Sequence, residues 1–197
     1  LLSGRMENEL SIASTSQLLD VHGCDWSRAA LDYFRVPPQW LSTPIRAGTR
    51  MGGLLAEPAG GMPALKKTRV IAVPGHDTAC AYTAMPGAEE GGDLYISSGT
   101  WSLVGFESAT PVLGAAALAA RVSNERMGDG RYRPLTNVIG LWLQEGVMKD
   151  FSTRPATDRD WAKLIDAAEK VRAPAEVLEV SDPAFGNPKS MKAAIDA

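Results

Sequence analysis

Between Asp25 and Phe34 the apolar residues fall at helical spacing, with Ala30, Leu31 and Phe34 on one face and a cap supplied by Asp25 or Ser27. Pro37 and Pro38 end that helix, because proline lacks an N–H and its ring clashes with the preceding turn. Glycines and Pro58 between Gly48 and Gly61 predict a short strand with a turn on either side. The run TRVIAV, 68–73, is rich in β-branched residues and predicts a buried strand. Pro74-Gly75 breaks it, and DTACAYTAM, 77–85, has the composition of a helix ended by Pro86-Gly87.

The polar, glycine-rich segment PGAEEGGD, 86–93, lies between apolar elements and predicts a domain boundary that divides 1–88 from 89–197. Beyond it, DLYIS and WSLVGFE read as two strands joined by a tight Ser-Gly-Thr turn. RVSNERM and RYRPLTNV form a second hairpin around Gly128-Asp129-Gly130. Leu141 to Phe151 and Trp161 to Val171 predict amphipathic helices, and SMKAAIDA at the end begins another. This order of strand, helix, hairpins and helices predicts a mixed α/β fold, and no fixed-period repeat or low-complexity tract interrupts it.

Composition narrows the partners. With 45% hydrophobic and 22% charged residues, the 197-residue chain can bury a core and is not intrinsically disordered. Its 20 basic and 23 acidic residues give a net charge of -3, and apart from Lys66, Lys67 and Arg69 the cations are scattered. No stripe is left to neutralise phosphates, which argues against nucleic acid as a partner. The least polar run, ATPVLGAAALAA at 109–120, contains Pro111 and is well short of the ~20 apolar residues of a membrane span, so no membrane partner is expected. LLSGRMENEL lacks the basic start and apolar stretch of a secretory signal. Two cysteines, Cys24 and Cys80, are too few for a disulfide framework and read as reduced thiols of a cytoplasmic protein. His22, Cys24, His76 and Cys80 lack the paired spacing of zinc ligands, so no protein-held metal is expected. A chain opening on LLSG without a methionine and stopping inside a young helix is expected to be a piece of something longer.

Two segments could carry chemistry. In PGHDTA, 74–79, a strand ends and His76, Asp77 and Thr78 are presented where a helix begins, the usual place for ligand contacts in α/β folds. A carboxylate there can accept a proton from a substrate hydroxyl; equally, Asp77 or Thr78 can simply cap the helix. In ISSGTWSL, 96–103, Gly99 lets the backbone approach a ligand, and the amides and hydroxyls of Ser98 and Thr100 can point at phosphate oxygens. The same Ser-Gly-Thr also serves as an ordinary hairpin turn, and Trp101 beside it is expected in the core.

Together, GHDTA, YISSGTWSLVGFE and SNERMGDGRYRPLTNVIGLWL resemble the FGGY carbohydrate kinases, and LLSG, IASTSQLLD and the DWS of 25–27 extend the likeness from Leu2 to Phe151. The resemblance implies an actin-like ATPase (ribonuclease H-like) fold of two duplicated domains closing over sugar and ATP. Here that fold would be incomplete: 1–88 would be the end of the sugar-binding domain and 89–197 the start of the nucleotide-binding one. By matching position, Asp77 would be the proton acceptor, and His76, Asp77, Thr78 and Asn137 would contact the sugar. Gly99 and Thr100 would contact the ATP phosphates. The family's nucleotide-contacting glutamine falls one place away, since Gln144 follows GLWL at once and Glu145 stands at the matching position. The implied reaction is ATP-dependent phosphorylation of a ketose hydroxyl with Mg²⁺, and its partners are the sugar and ATP.

The family's first phosphate loop, of Asp-x-Gly-Thr type, and its downstream glycine-rich adenine segment have no counterpart in these residues. The chain alone is therefore expected to be inactive. GHDT and SSGTW are shared by kinases of different sugars, and VSNERMGDG departs from the usual pattern, so the ketose stays open. A non-catalytic actin-like sugar-binding module is the competing reading. Asp77 and Thr100 together favour the enzyme, because a module needs neither a base nor a phosphate grip.

Overall fold

The computed structural model describes residues 2–85, 92–151, 154–172 and 177–197. Residues 86–91 of the expected boundary, including the Pro86-Gly87 helix stop, lie outside the described residues. The chain divides into two compact units: Leu1–Ile96 with Val104–Thr136, and Ser97–Leu103 with Asn137–Ala197.

In the first unit, helix α1 (Leu10–Thr15) starts at Glu9, whose side chain accepts the amides of Ser11 and Ile12. The sequence gives this helix little signal, since it has six residues and its cap is a glutamate. Helix α2 (Arg28–Phe34) is capped by Ser27, not Asp25, and ends at Arg35 in the left-handed conformation, where the amide of Val36 reaches the Leu31 carbonyl. Of its expected apolar face only Leu31 is buried; Phe34 is exposed and stacks edge-on with Tyr33.

Strands β1 (Arg50–Gly53) and β2 (Arg69–Ile71) pair antiparallel as a two-stranded ribbon. The expectation of a buried strand at 68–73 fails, because Ile71 and Val73 are exposed. β-branched content reports the extended backbone and says nothing of whether a second layer covers it. Helix α3 (Asp77–Ala84) follows and buries Thr78, Ala79 and Tyr82.

Strands β3 (Tyr95–Ser97), β4 (Trp101–Gly105), β5 (Ser123–Arg126) and β6 (Tyr132–Ile139) make one sheet in the order β3-β4-β6-β5. Both expected hairpin pairs are present, with β6 set beside β4. The β5–β6 register, Glu125 opposite Arg133 and Arg126 opposite Tyr132, is centred on Asp129. Gly130 closes the turn at φ 92°, and its amide donates to the Met127 carbonyl. Helix α1 packs on β5, where the Arg126 amide donates to the Ser14 hydroxyl at 2.8 Å. A short helix, α4 (Ala115–Ala119), occupies part of the alanine-rich run.

In the second unit, α5 (Leu141–Asp150) matches the expected helix. Helix α6 (Asp158–Glu169) begins three residues before the expected Trp161, because Thr157 caps it by accepting the Asp160 amide. Helix α7 (Met191–Ile195) is capped by Ser190 and packs on α5. Asp150, at the end of α5, accepts from the Ser190 hydroxyl and the Lys192 amide, both at 2.9 Å, which fixes the start of α7. Among the described residues of this unit, Phe185 and Met191 are the buried apolar ones.

Candidate functional site

The turn that presents His76 and Asp77 is held from behind by α1. One oxygen of Glu9, Oε2, accepts the Gly75 amide at 2.8 Å as well as the Ser11 amide at 3.0 Å and the Ser11 hydroxyl. The Ser11 oxygen in turn accepts the His76 amide at 3.3 Å. A single buried carboxylate thus caps α1 and pins the start of the turn. A side chain at Gly75 would place its Cβ 2.9 Å from Ile12 Cγ2, so only glycine fits against the helix.

His76 is the N-cap of α3 but makes no side-chain cap bond. The reading of Asp77 or Thr78 as a mere cap therefore fails: both lie inside the helix. The Asp77 side chain is 97% exposed, and the His76 ring lies beside it, Nε2 to Oδ1 at 3.7 Å. Its Oδ1 also accepts the Thr78 amide at 2.6 Å and the Thr78 hydroxyl at 3.3 Å, which restrict its rotation. Thr78 itself is buried, its hydroxyl directed at Asp77.

Beneath His76 lies a charged pair that the sequence reading does not identify. Glu125 and Arg133 face each other across β5–β6, and Arg133 Nη2 donates to Glu125 Oε2. The same Nη2 lies 2.8 Å from His76 Nδ1, and Glu125 Oε2 lies 3.3 Å from it. Arg133 is fully buried, with its guanidinium carbon 5.0 Å from the centre of the Tyr82 ring. The Tyr82 hydroxyl donates to the Tyr95 carbonyl at 3.2 Å, and burial raises its pKa above the usual 10.0, with the Arg133 charge acting in the opposite direction. Reflection through Asp129 was the available signal, because a symmetric hairpin pairs 125 with 133.

The second unit carries Gly99, Thr100, Asn137 and Gln144. The Gly99 carbonyl accepts the Leu141 amide at 3.0 Å, and the Thr100 carbonyl accepts those of Gly140 and Trp142 at 3.3 and 3.2 Å. The turn thus uses its carbonyls to satisfy the first amides of α5, while the Ser98 and Thr100 side chains remain exposed. Gly140 permits this junction: a Cβ there would meet Ser102 Oγ at 2.4 Å and the Gly99 oxygen at 2.6 Å. Asn137 lines a cavity of about 440 Å³ with Trp101 and Leu103. Trp101 is 57% exposed, which corrects its expected place in the core; β4 becomes buried only toward Gly105. On α5, Gln144 is exposed, whereas both Glu145 oxygens accept from Arg154 Nη2, at 2.8 and 2.7 Å.

Comparison with known proteins bears on this arrangement. No family model matches the chain. It is 40% identical over 194 residues to a rhamnulokinase of Pectobacterium carotovorum subsp. carotovorum (strain PC1), covering 98% of this chain and 37% of that protein. Against a rhamnulokinase of Enterobacter sp. (strain 638) it is 38% identical over 196 residues, covering 100% of this chain and 38% of the relative. A carbohydrate kinase from Novosphingobium aromaticivorans superposes with a TM-score of 0.62 at 26% identity, over 84% of this chain and 36% of that one. Over almost its whole length the chain is similar to sugar kinases of the FGGY type. Its α/β elements are part of the actin-like ATPase fold of such sugar kinases, and it spans somewhat more than a third of the length of the curated relatives it matches. Among the described residues, no helix is long and apolar enough to cross a membrane.

Proposed function

We propose that this chain carries the proton-accepting part of an ATP-dependent ketose kinase, with L-rhamnulose as the sugar and its 1-phosphate as the product. The observation that carries the reading is Asp77: an exposed carboxylate, not used as a cap, on a turn anchored through Gly75 and His76, in a chain 40% identical to a rhamnulokinase. A primary hydroxyl is about as weak an acid as water, so its oxygen attacks phosphorus well only if a base takes the proton as the new bond forms. Asp77 accepts that proton. The C1 oxygen bonds to the γ-phosphorus, the bond to the bridging oxygen breaks, and ADP leaves with its electron pair.

His76 and Asn137 contact the sugar, and Thr78 holds the Asp77 carboxylate and completes the sugar-facing turn. Gly99 and Thr100 contact the phosphates through the exposed side of the hairpin turn, and Gln144 reaches the nucleotide. Mg²⁺ would arrive on the ATP phosphates. The segment 86–93 would mark the passage from the sugar-binding to the nucleotide-binding domain. Since one hairpin is only part of a phosphate cradle, the 197 residues alone should release no ADP.

The test is Asp77→Asn in the full-length protein, scored by ADP release with L-rhamnulose. Turnover should fall by about 10²- to 10⁴-fold, the usual contribution of a positioned base; near-normal turnover would refute the assignment. A panel including L-fuculose and xylulose would identify the ketose. One observation favours a non-catalytic sugar-binding module instead: the residue at the nucleotide-contacting position is Glu145, held by Arg154. Absence of ATP-dependent phosphorylation of every sugar, with sugar binding retained, would establish that reading.

A further inference from the structure

Arg133 is the most deeply buried charged side chain among the described residues, and stability does not explain it. Its Nε and Nη1 have no hydrogen-bond partner. A buried donor left unmade costs roughly 1–3 kcal/mol, and apolar residues commonly replace buried ion pairs at no loss. The remaining nitrogen is used twice, on Glu125 Oε2 and on His76 Nδ1 at 2.8 Å.

A guanidinium can only donate hydrogen bonds. His76 Nδ1 must therefore accept, and the neutral ring must carry its proton on Nε2, the nitrogen facing Asp77 at 3.7 Å. Glu125 Oε2 lies 3.3 Å from the same Nδ1, an approach between two acceptors that the shared Arg133 donor makes tolerable. We propose that the Glu125–Arg133 pair is a positioning device that fixes His76 as the Nε2–H tautomer. The outward N–H then stands beside the Asp77 carboxylate, presenting one donor and one acceptor together. That pairing suits an α-hydroxyketone, whose hydroxyl gives its proton to Asp77 while the adjacent carbonyl accepts from His76.

This deepens the ketose-kinase reading and rests on it only for the nature of the oxygen that His76 meets. The tautomer is read separately, by ¹⁵N NMR of the full chain at a pH where both histidines are neutral. The chain has two histidines, and a His22→Gln variant assigns them. His76 should show an acceptor-type Nδ1 and a protonated Nε2 with little of the tautomer mixture of exposed His22. Arg133→Met should move His76 toward that mixture, and Arg133→Lys, which keeps a donor, should restore much of the original pattern.

A protonated Nδ1 in the unmodified chain, or a His76 pattern indistinguishable from that of His22, would overturn the proposal. So would an unchanged pattern in folded Arg133→Met. If that variant does not fold, the unmodified chain and Arg133→Lys decide the matter. Normal turnover in Asp77→Asn would remove the kinase role without changing the tautomer, so the two failures are distinguishable.

Discussion

The Glu9 carboxylate accepts the amide of Gly75 at 2.8 Å, joining positions 66 residues apart through a side chain that also caps α1. Glu9→Ala would leave the amides of Ser11 and Gly75 without that acceptor inside the fold. The expected loss is about 2–4 kcal/mol, from hydrogen bonds to a charged group together with a lost cap. Glu9→Gln keeps an acceptor oxygen and should recover part of it. Urea denaturation measures both, and an unchanged midpoint for the alanine variant would show that the clamp contributes nothing.

Asp77→Asn should leave stability within about 0.5 kcal/mol of the original, as expected for an exposed site. The side chain is 97% exposed, and an asparagine oxygen can still accept the Thr78 amide. A large drop in the unfolding midpoint would mean that loss of turnover in this variant reports folding instead of proton transfer.

Gly140→Ala tests the junction between the Ser-Gly-Thr turn and α5. The new methyl would have to push aside Ser102 Oγ and the Gly99 carbonyl, both closer than a real contact permits. Overpacking of this kind costs about 1–3 kcal/mol. Hydrogen exchange should quicken most at Leu141 and Trp142, whose amides the turn holds; unchanged protection there would contradict the geometry.

If the full-length protein is the proposed kinase, Gln144→Ala in it should raise the KM for ATP by roughly 2- to 10-fold, the equivalent of one hydrogen bond. Glu145→Ala should raise it less, because Arg154 already occupies both carboxylate oxygens. The Glu145–Arg154 pair is half exposed, so its loss should alter stability by no more than about 1 kcal/mol. The reverse order of KM effects would place Glu145, not Gln144, at the nucleotide.

Asp129 gives the acid limb of stability a definite sign. Partial burial pushes its pKa upward, but the Arg131 amide and side chain, bonding at 2.9 and 2.7 Å, outweigh this and hold it below the usual 3.8. Because the folded value is depressed, this stabilisation is complete above the unfolded value and disappears as pH falls through the folded one. Asp129→Asn should therefore flatten the loss of stability below about pH 4 relative to the original chain. Parallel curves from neutral pH down to pH 2 would count against it.

Local chemistry was legible in the sequence where it is self-contained. The Gly128-Asp129-Gly130 turn specifies a hairpin whatever surrounds it, and the structure has that hairpin in symmetric register. Thr157 could have placed the start of α6, but the first strong apolar residue, Trp161, drew the boundary inward. The burial expected for 68–73 and for Trp101 depended on what covers each strand, which residue type does not encode. The polar pair of His76 and Asp77 announced itself as a break after an apolar strand. Its support did not, since Glu9 and Arg133 reach the turn across 66 and 57 residues of sequence.

The β5–β6 hairpin also makes the chain sensitive to length in a way no substitution scan would reveal. Side chains alternate between the two faces of a strand, so adding or removing one residue at 128–130 would turn the face that now holds Arg133 over to a neighbour, Tyr132 or Pro134. The residue count of the loop is the gauge that sets a cation under His76.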